Sequence, residues 1–230
     1  MKSVKAIFVK QARDAIKNAT IFIQFILFPI MAYVMTTLIS DPSIPHNMFI
    51  FMFAAMFVGM TPLLLISSAI SEDKEHKSLR FLSMAGVKPY HYLLGIVGFI
   101  LIACALVSVV FALLAQLSGM MMVRFIAILL LCSVASALLG AIIGVFSKNQ
   151  QSATALATPI ALIFALVPLL SQFNDSLKMV GNFFYTQQMN VIFGSDPSAS
   201  IVKPLLIILA NIAVFLVLFI LAYKKKGLNS

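Results

Sequence analysis

The chain is 230 residues long, 62% hydrophobic and only 10% charged, with a mean hydropathy of +1.07. A soluble domain is nearer half apolar and a quarter charged, so a water-surrounded fold with a single core is excluded and lipid is the natural solvent. The formal net charge of +9 does not point to nucleic acid, because the bases flank apolar runs and form no continuous stripe.

Residues 1–19 precede the first apolar run. On a helix, Val4, Phe8, Ala12 and Ala15 share one face, and Lys10, Arg13 and Lys17 share another. The segment reads as an amphipathic helix in the inner headgroup layer, with Phe8, Lys10, Arg13 and Lys17 as its interface residues. A solvated basic tail is the alternative. The segment is longer than the basic region of a signal peptide, and no small-residue cleavage site follows. The run from Ile21 is therefore expected to remain as a membrane span.

A helix needs roughly 20 apolar residues to cross a hydrocarbon core of ~30 Å. Six runs qualify: Thr20 to Ile39, Met48 to Ile70, Tyr92 to Leu117, Phe125 to Phe146, Ala153 to Leu170 and Pro204 to Tyr223. Pro159 and Pro168 interrupt the fifth, and a proline inside a span removes a backbone hydrogen bond. Ser136, Gly140 and Gly144 are spaced four apart on the fourth, a small-residue face suited to close helix packing within the subunit.

Between the second and third runs lies the densest charge in the chain, Ser71-Glu72-Asp73-Lys74-Glu75-His76-Lys77-Ser78-Leu79-Arg80-Phe81-Leu82. Ser71 is a suitable N-cap, Glu72, Asp73 and Glu75 would fall in a first turn, and Gly86 and Pro89 would stop the helix. The spacing predicts a short helix over 71–85 that presents Leu79 and Leu82 on one face. Such a helix suits a groove on a soluble partner; a solvated connector is the alternative.

The segment from Ser171 to Ser200 is long and carries Phe183, Phe184 and Tyr185. It reads as short helices dipping into the outer leaflet or capping a cavity; a structured loop with aromatic anchors is the alternative.

Orientation follows from the bases. With the N-terminus in the cytoplasm, all of the 16 Lys and Arg except Arg124, Lys178 and Lys203 fall on the cytoplasmic side. Both termini and the charged segment are then cytoplasmic, in a multi-pass protein of the plasma membrane.

No Asp, Glu, Lys, Arg or His stands in the middle of any run. Ion-coupled carriers mark their pathways with such groups. The polar residues at membrane depth are neutral; most read as packing residues, with Gln24, Thr36, Thr61 and Thr158 as candidates for a substrate path. No catalytic motif is present, and no phosphate-binding loop. Cys104 and Cys132 lie inside apolar runs as packing residues, and no metal-ligand cluster is expected.

The charged segment resembles the cytoplasmic loop of type-two ATP-binding-cassette (ABC) permeases, the exporter-like membrane subunits. Their pattern runs roughly Glu-Arg-Glu-x-Gly-Thr-Leu-x-x-Leu, then Pro-Val, then Leu-Leu-Gly-Lys. Here Asp73, Lys74 and Glu75 stand at the acid-base-acid triplet, Ser78 at the threonine, Leu79 and Leu82 at the leucines, Val87 at the valine, and Leu93-Leu94-Gly95 near the next span. Lys77 replaces the glycine, Gly86 the proline and Ile96 the lysine.

The resemblance implies an all-α membrane protein in one transmembrane domain, residues 1–230. It would have six transmembrane helices, an N-terminal interface helix (1–19), a coupling helix (71–85) between spans 2 and 3, short outer helices (171–200) before span 6, and no nucleotide-binding domain. Glu72, Asp73, Lys74, Glu75, Lys77, Ser78, Leu79, Arg80 and Leu82 would couple to a separate ATPase subunit, which alone binds ATP and Mg. Two permease subunits, identical or not, would pair through the first, second and fifth spans. The implied function is the permease of an ATP-driven exporter for a hydrophobic or amphiphilic peptide, drug or lipid, itself not an enzyme. Membrane lipid is an expected partner and nucleic acid is not. The alternatives are a non-transporting immunity or sensor protein, or an ion-coupled carrier.

Overall fold

The structure is a computed structural model that describes residues 2–39, 45, 47–78, 84, 87, 89–194 and 201–226. Among these, all regular structure is α-helical: α1 (Lys2–Lys17), α2 (Ala19–Leu38), α3 (Met48–Glu75), α4 (Pro89–Leu114), α5 (Gly119–Phe146), α6 (Gln150–Leu170), α7 (Asp175–Gly181), α8 (Tyr185–Gly194) and α9 (Val202–Lys226). Helices α2, α3, α4, α5, α6 and α9 are long and apolar enough to cross a membrane, and they correspond to the six predicted runs. The fifth run is one helix that contains both Pro159 and Pro168. Its start is fixed by a capping box in which Asn149 and Ser152 bond each other's backbone N–H groups.

A helix that is apolar on every side belongs in a core, and α3 occupies that place. Ala54, Phe57, Val58 and Ile66 are fully buried on different sides of it. The small-residue face of α5 packs against α3, as expected. Ser136 donates to the Val58 carbonyl, Gly140 lies on the backbone of Leu63, and Gly144 lies on Ile70 and Ser67. A second small-residue stripe, Ala153, Ala157, Ala161 and Ala165, is buried on α6. There Gly59 of α3 closes the approach: a Cβ on it would stand 2.9 Å from the backbone of Phe164 and Ala165.

α1 lies across the start of α4. Ile7 rests on Gly95, where a Cβ would meet it at 2.7 Å, and the Phe8 and Phe99 rings meet edge to face at 5.6 Å. The buried face of α1 centres on Ile7, Gln11 and Ala15, about one position round from the face that the sequence pattern gives. The ends of α3 and α5 and the starts of α2, α4 and α6 gather beside α1. We call this the basic end. α7 and α8 sit at the opposite end.

Candidate functional site

The apolar run of the second span stops at Ile70, but no breaker stands between Ile70 and Glu75, so α3 continues to Glu75. This corrects the expected helix start at Ser71. The Ser71 hydroxyl donates back to the Ser67 carbonyl at 2.6 Å, as a serine inside a helix does. Glu72, Asp73 and Glu75 therefore stand in a last turn, where the helix dipole disfavours anions. His76 caps the end of α3 and is followed by Lys77 with φ of 56°, the left-handed conformation that ends many helices. The glycine of the resembled pattern falls at this position. Ser78 is helical again, while Leu79, Arg80 and Leu82 lie outside the described residues.

Specific partners offset the unfavourable dipole. Asp73 is buried; its Oδ1 accepts from Lys10 Nζ of α1 at 2.6 Å, and its Oδ2 accepts from the Tyr92 hydroxyl of α4 at 2.8 Å. Lys74 Nζ donates to the Val145 carbonyl at 2.8 Å, placing a cation on the C-terminal turn of α5. Glu75 Oε2 accepts from the Gln150 N–H at 3.0 Å, placing an anion on the N-terminus of α6. Gln150 Nε2 also donates to Ser68 Oγ at 2.8 Å. Three consecutive residues thus bind α3 to four other helices. Beside them, a cleft of about 580 Å³ opens between α1, α2 and α3, lined among others by Lys17, Gln24, Ser68 and Glu72.

At the opposite end, α8 inserts its first turn into the bundle. Tyr185 is fully buried. Its hydroxyl lies 2.5 Å from Ser136 Oγ; because Ser136 donates to Val58, Tyr185 is the donor of this bond. Phe164 stacks on the Tyr185 ring at 5.1 Å, and Cys132 Sγ lies 3.8 Å from the Tyr185 carbonyl. Burial drives the Tyr185 phenol well above its ordinary pKa, so it stays a neutral donor. Next to it, Thr186 and Gln187 are buried with side-chain oxygens that have no hydrogen-bond partner. Phe184 packs on Phe164 at 4.9 Å, whereas Phe183 is exposed.

The expected residues divide accordingly. Asp73, Lys74 and Glu75 join the inter-helix tie, Lys10 joins them from α1, and Phe8 packs on α4. Glu72, Lys77, Arg13 and Lys17 are exposed. The four path candidates do not surround one cavity. Gln24 lines the cleft, and Thr61 is buried and donates to the Gln24 carbonyl at 3.3 Å. Thr36 donates to the Ala32 carbonyl one turn back, and Thr158 does the same to Thr154 on the outward face of α6. Tyr92 and Gln150 were not singled out from the sequence as sites; Tyr185 was named in the outer segment and Ser136 in the small-residue face, but not their bond to each other. A tyrosine just inside an apolar run is the one signal that pointed to Tyr92.

A family model described as ABC-2 family transporter protein matches residues 46–221. No curated protein matches the chain. The match covers more than half of the sequence and all but the first of the six long helices, so the chain belongs to the ABC-2 transporter family and is a multi-pass membrane component of a transporter.

Proposed function

From that membership, we propose that the chain is the permease subunit of an ATP-driven exporter, set in the plasma membrane with its basic end in the cytoplasm and worked by a separate ATPase that holds ATP and Mg. The observation that carries this reading is the tie at the end of α3. A push on the segment after Glu75 reaches α1 and α4 through Asp73, α5 through Lys74 and α6 through Glu75. The exposed Lys77, with Ser78, Leu79, Arg80 and Leu82, is the docking part, and the tied triplet Asp73, Lys74 and Glu75 transmits. At the far end, Tyr185 closes the exit, and the unpartnered oxygens of Thr186 and Gln187 favour its release when water enters.

Two copies pair around the path. α2 and α6 turn exposed faces away from α3, with Ile23 and Leu27 on one and Thr154, Leu156 and Ile163 on the other. The substrate is hydrophobic or amphiphilic, since the runs that would line the path carry no charge.

The test is reconstitution with the ATPase subunit. Leu79→Asp is expected to abolish complex formation and the permease-stimulated ATP hydrolysis. Asp73→Asn is expected to leave the complex intact while transport per ATP falls. Wild-type assembly and hydrolysis with Leu79→Asp would remove the docking role.

A further inference from the structure

A second cavity lies between α2 and α4. It is an apolar groove of about 620 Å³, floored by Phe25, Ala103 and Val107 and reaching from Ile16 of α1 to Tyr33 and Leu114. Pro29 lines it; a proline inside a helix removes the hydrogen bond to the carbonyl four residues earlier and is a usual place for a helix to bend. From Ile21 to Tyr33 the α2 wall rises about 18 Å, little more than one leaflet of a ~30 Å hydrocarbon core.

The groove does not end blindly. Ile21 and Phe99 line both it and the polar cleft at the basic end, so an apolar slot one leaflet deep opens onto a charged pocket. Such a shape fits an amphiphile with a tail and a head. In the pocket Lys10 and Asp73 are paired with each other. The exposed Lys17, Asp14 and Glu72 also line it, together with Gln24, whose side-chain oxygen has no hydrogen-bond partner.

The headgroup that matches has one anion for Lys17 and one cation with N–H donors for the carboxylates and the Gln24 oxygen. A choline group has no N–H to give, and an anionic glycerol headgroup brings no cation to Asp14 and Glu72. We infer that groove and cleft together form one site for a phospholipid with a phosphoethanolamine headgroup, taken from the leaflet at the basic end. The lipid fills the space between α2 and α4 and bridges α1 to both. The site concerns the chain itself, and its test needs neither the ATPase nor transport.

The chain contains no tryptophan, so a single introduced one reports its own surroundings. Leu106→Trp, or Val110→Trp should the first fail to fold, places the reporter on the exposed groove wall; Leu218→Trp places it on the exposed surface of α9. Each variant is put into phosphatidylcholine vesicles with a minor fraction of acyl-brominated phosphatidylethanolamine, phosphatidylcholine or phosphatidylglycerol, and tryptophan quenching is read.

The groove reporter is expected to favour the ethanolamine lipid over the other two by about tenfold in relative association constant, the ratio that one charged hydrogen bond supplies. The α9 reporter is expected to show no preference. Ala103→Phe, which fills the groove, should abolish the excess quenching. Lys17→Glu should weaken it, and Asp14→Asn with Glu72→Gln should erase the preference for ethanolamine over choline. Equal quenching by all three lipids at both reporters would make the groove ordinary lipid-facing surface and overturn the proposal. A preference for phosphatidylglycerol would overturn the headgroup assignment.

Discussion

The Lys10–Asp73 pair sets the most direct measure of the tie between α1 and α3. Its lysine side chain is 50% exposed and its aspartate 6%. A fully exposed pair contributes about 0.2–1 kcal/mol, and breaking a fully buried one costs about 3–5 kcal/mol. With one partner in each environment, a coupling of about 2 kcal/mol is expected, between those limits. At roughly 2–4 °C per kcal/mol for a chain of this size, that is about 4–8 °C in Tm.

The measurement is a double-mutant cycle of Lys10→Met, Asp73→Asn and both together, at one scan rate in one detergent. Cys104 and Cys132 are buried free thiols, so a fluorogenic thiol-reactive dye reports unfolding without a new label. Each single change should lower Tm, and the double change should be little worse than Asp73→Asn alone. Lys10→Arg, which restores the cation, should recover part of the loss. Additive single effects, within the ~0.5 kcal/mol seen for independent sites, would show that Lys10 and Asp73 do not act as a pair and would break the proposed link from α3 to α1.

Three further outcomes test the packing. Lys77→Gly should raise Tm by about 2–4 °C in the same assay, because a left-handed backbone costs a non-glycine residue about 1 kcal/mol. Gly140→Ala should cost several kcal/mol and lower the monodisperse yield, since its Cβ would strike the Leu63 backbone, whereas Gly98→Ala, with nothing within 4 Å, should be neutral or stabilising by up to about 1 kcal/mol. Tyr185→Phe should cost about 1–3 kcal/mol of thermal stability by removing the donor to Ser136, and Ser136→Ala should cost a similar amount with little further loss in the double variant.

Much of the architecture was legible because lipid imposes simple rules. Length and hydropathy alone gave six spans, since a bilayer admits few other uses for twenty apolar residues. Spacing alone placed Ser136, Gly140 and Gly144 against a neighbour inside the subunit. The end of α3 was not legible. A serine followed by three acids reads as a helix start by local preference, yet the same residues close a helix when Lys10, Tyr92, Val145 and Gln150 surround them. Those partners come from four separate helices, and a local pattern carries no information about them. The alanine stripe on α6 was hidden for another reason: Ala153, Ala157, Ala161 and Ala165 sit among other small residues, and their burial, with Gly59 closing on Ala165, marks them as a packing face.

The location of the tie bears on how force would travel. A docking surface made of the acidic triplet itself would have to break Asp73 from Lys10 and Tyr92 each time a partner bound, leaving a buried carboxylate unpaired at a cost of several kcal/mol. A surface made of the residues after Glu75 avoids that cost and moves the triplet as a unit. The bonds of Lys74 and Glu75 lie on the end of α5 and the start of α6, the two helices whose small-residue stripes grip α3 along its length. Under the proposed coupling, a displacement at the basic end would therefore meet α5 and α6 both at their tips and along their sides, and would be carried as a rigid-body tilt. The same three residues that local sequence marked as a contact for another protein thus bond chiefly within the chain, and the exposed Lys77 that follows them is the part left for the proposed docking.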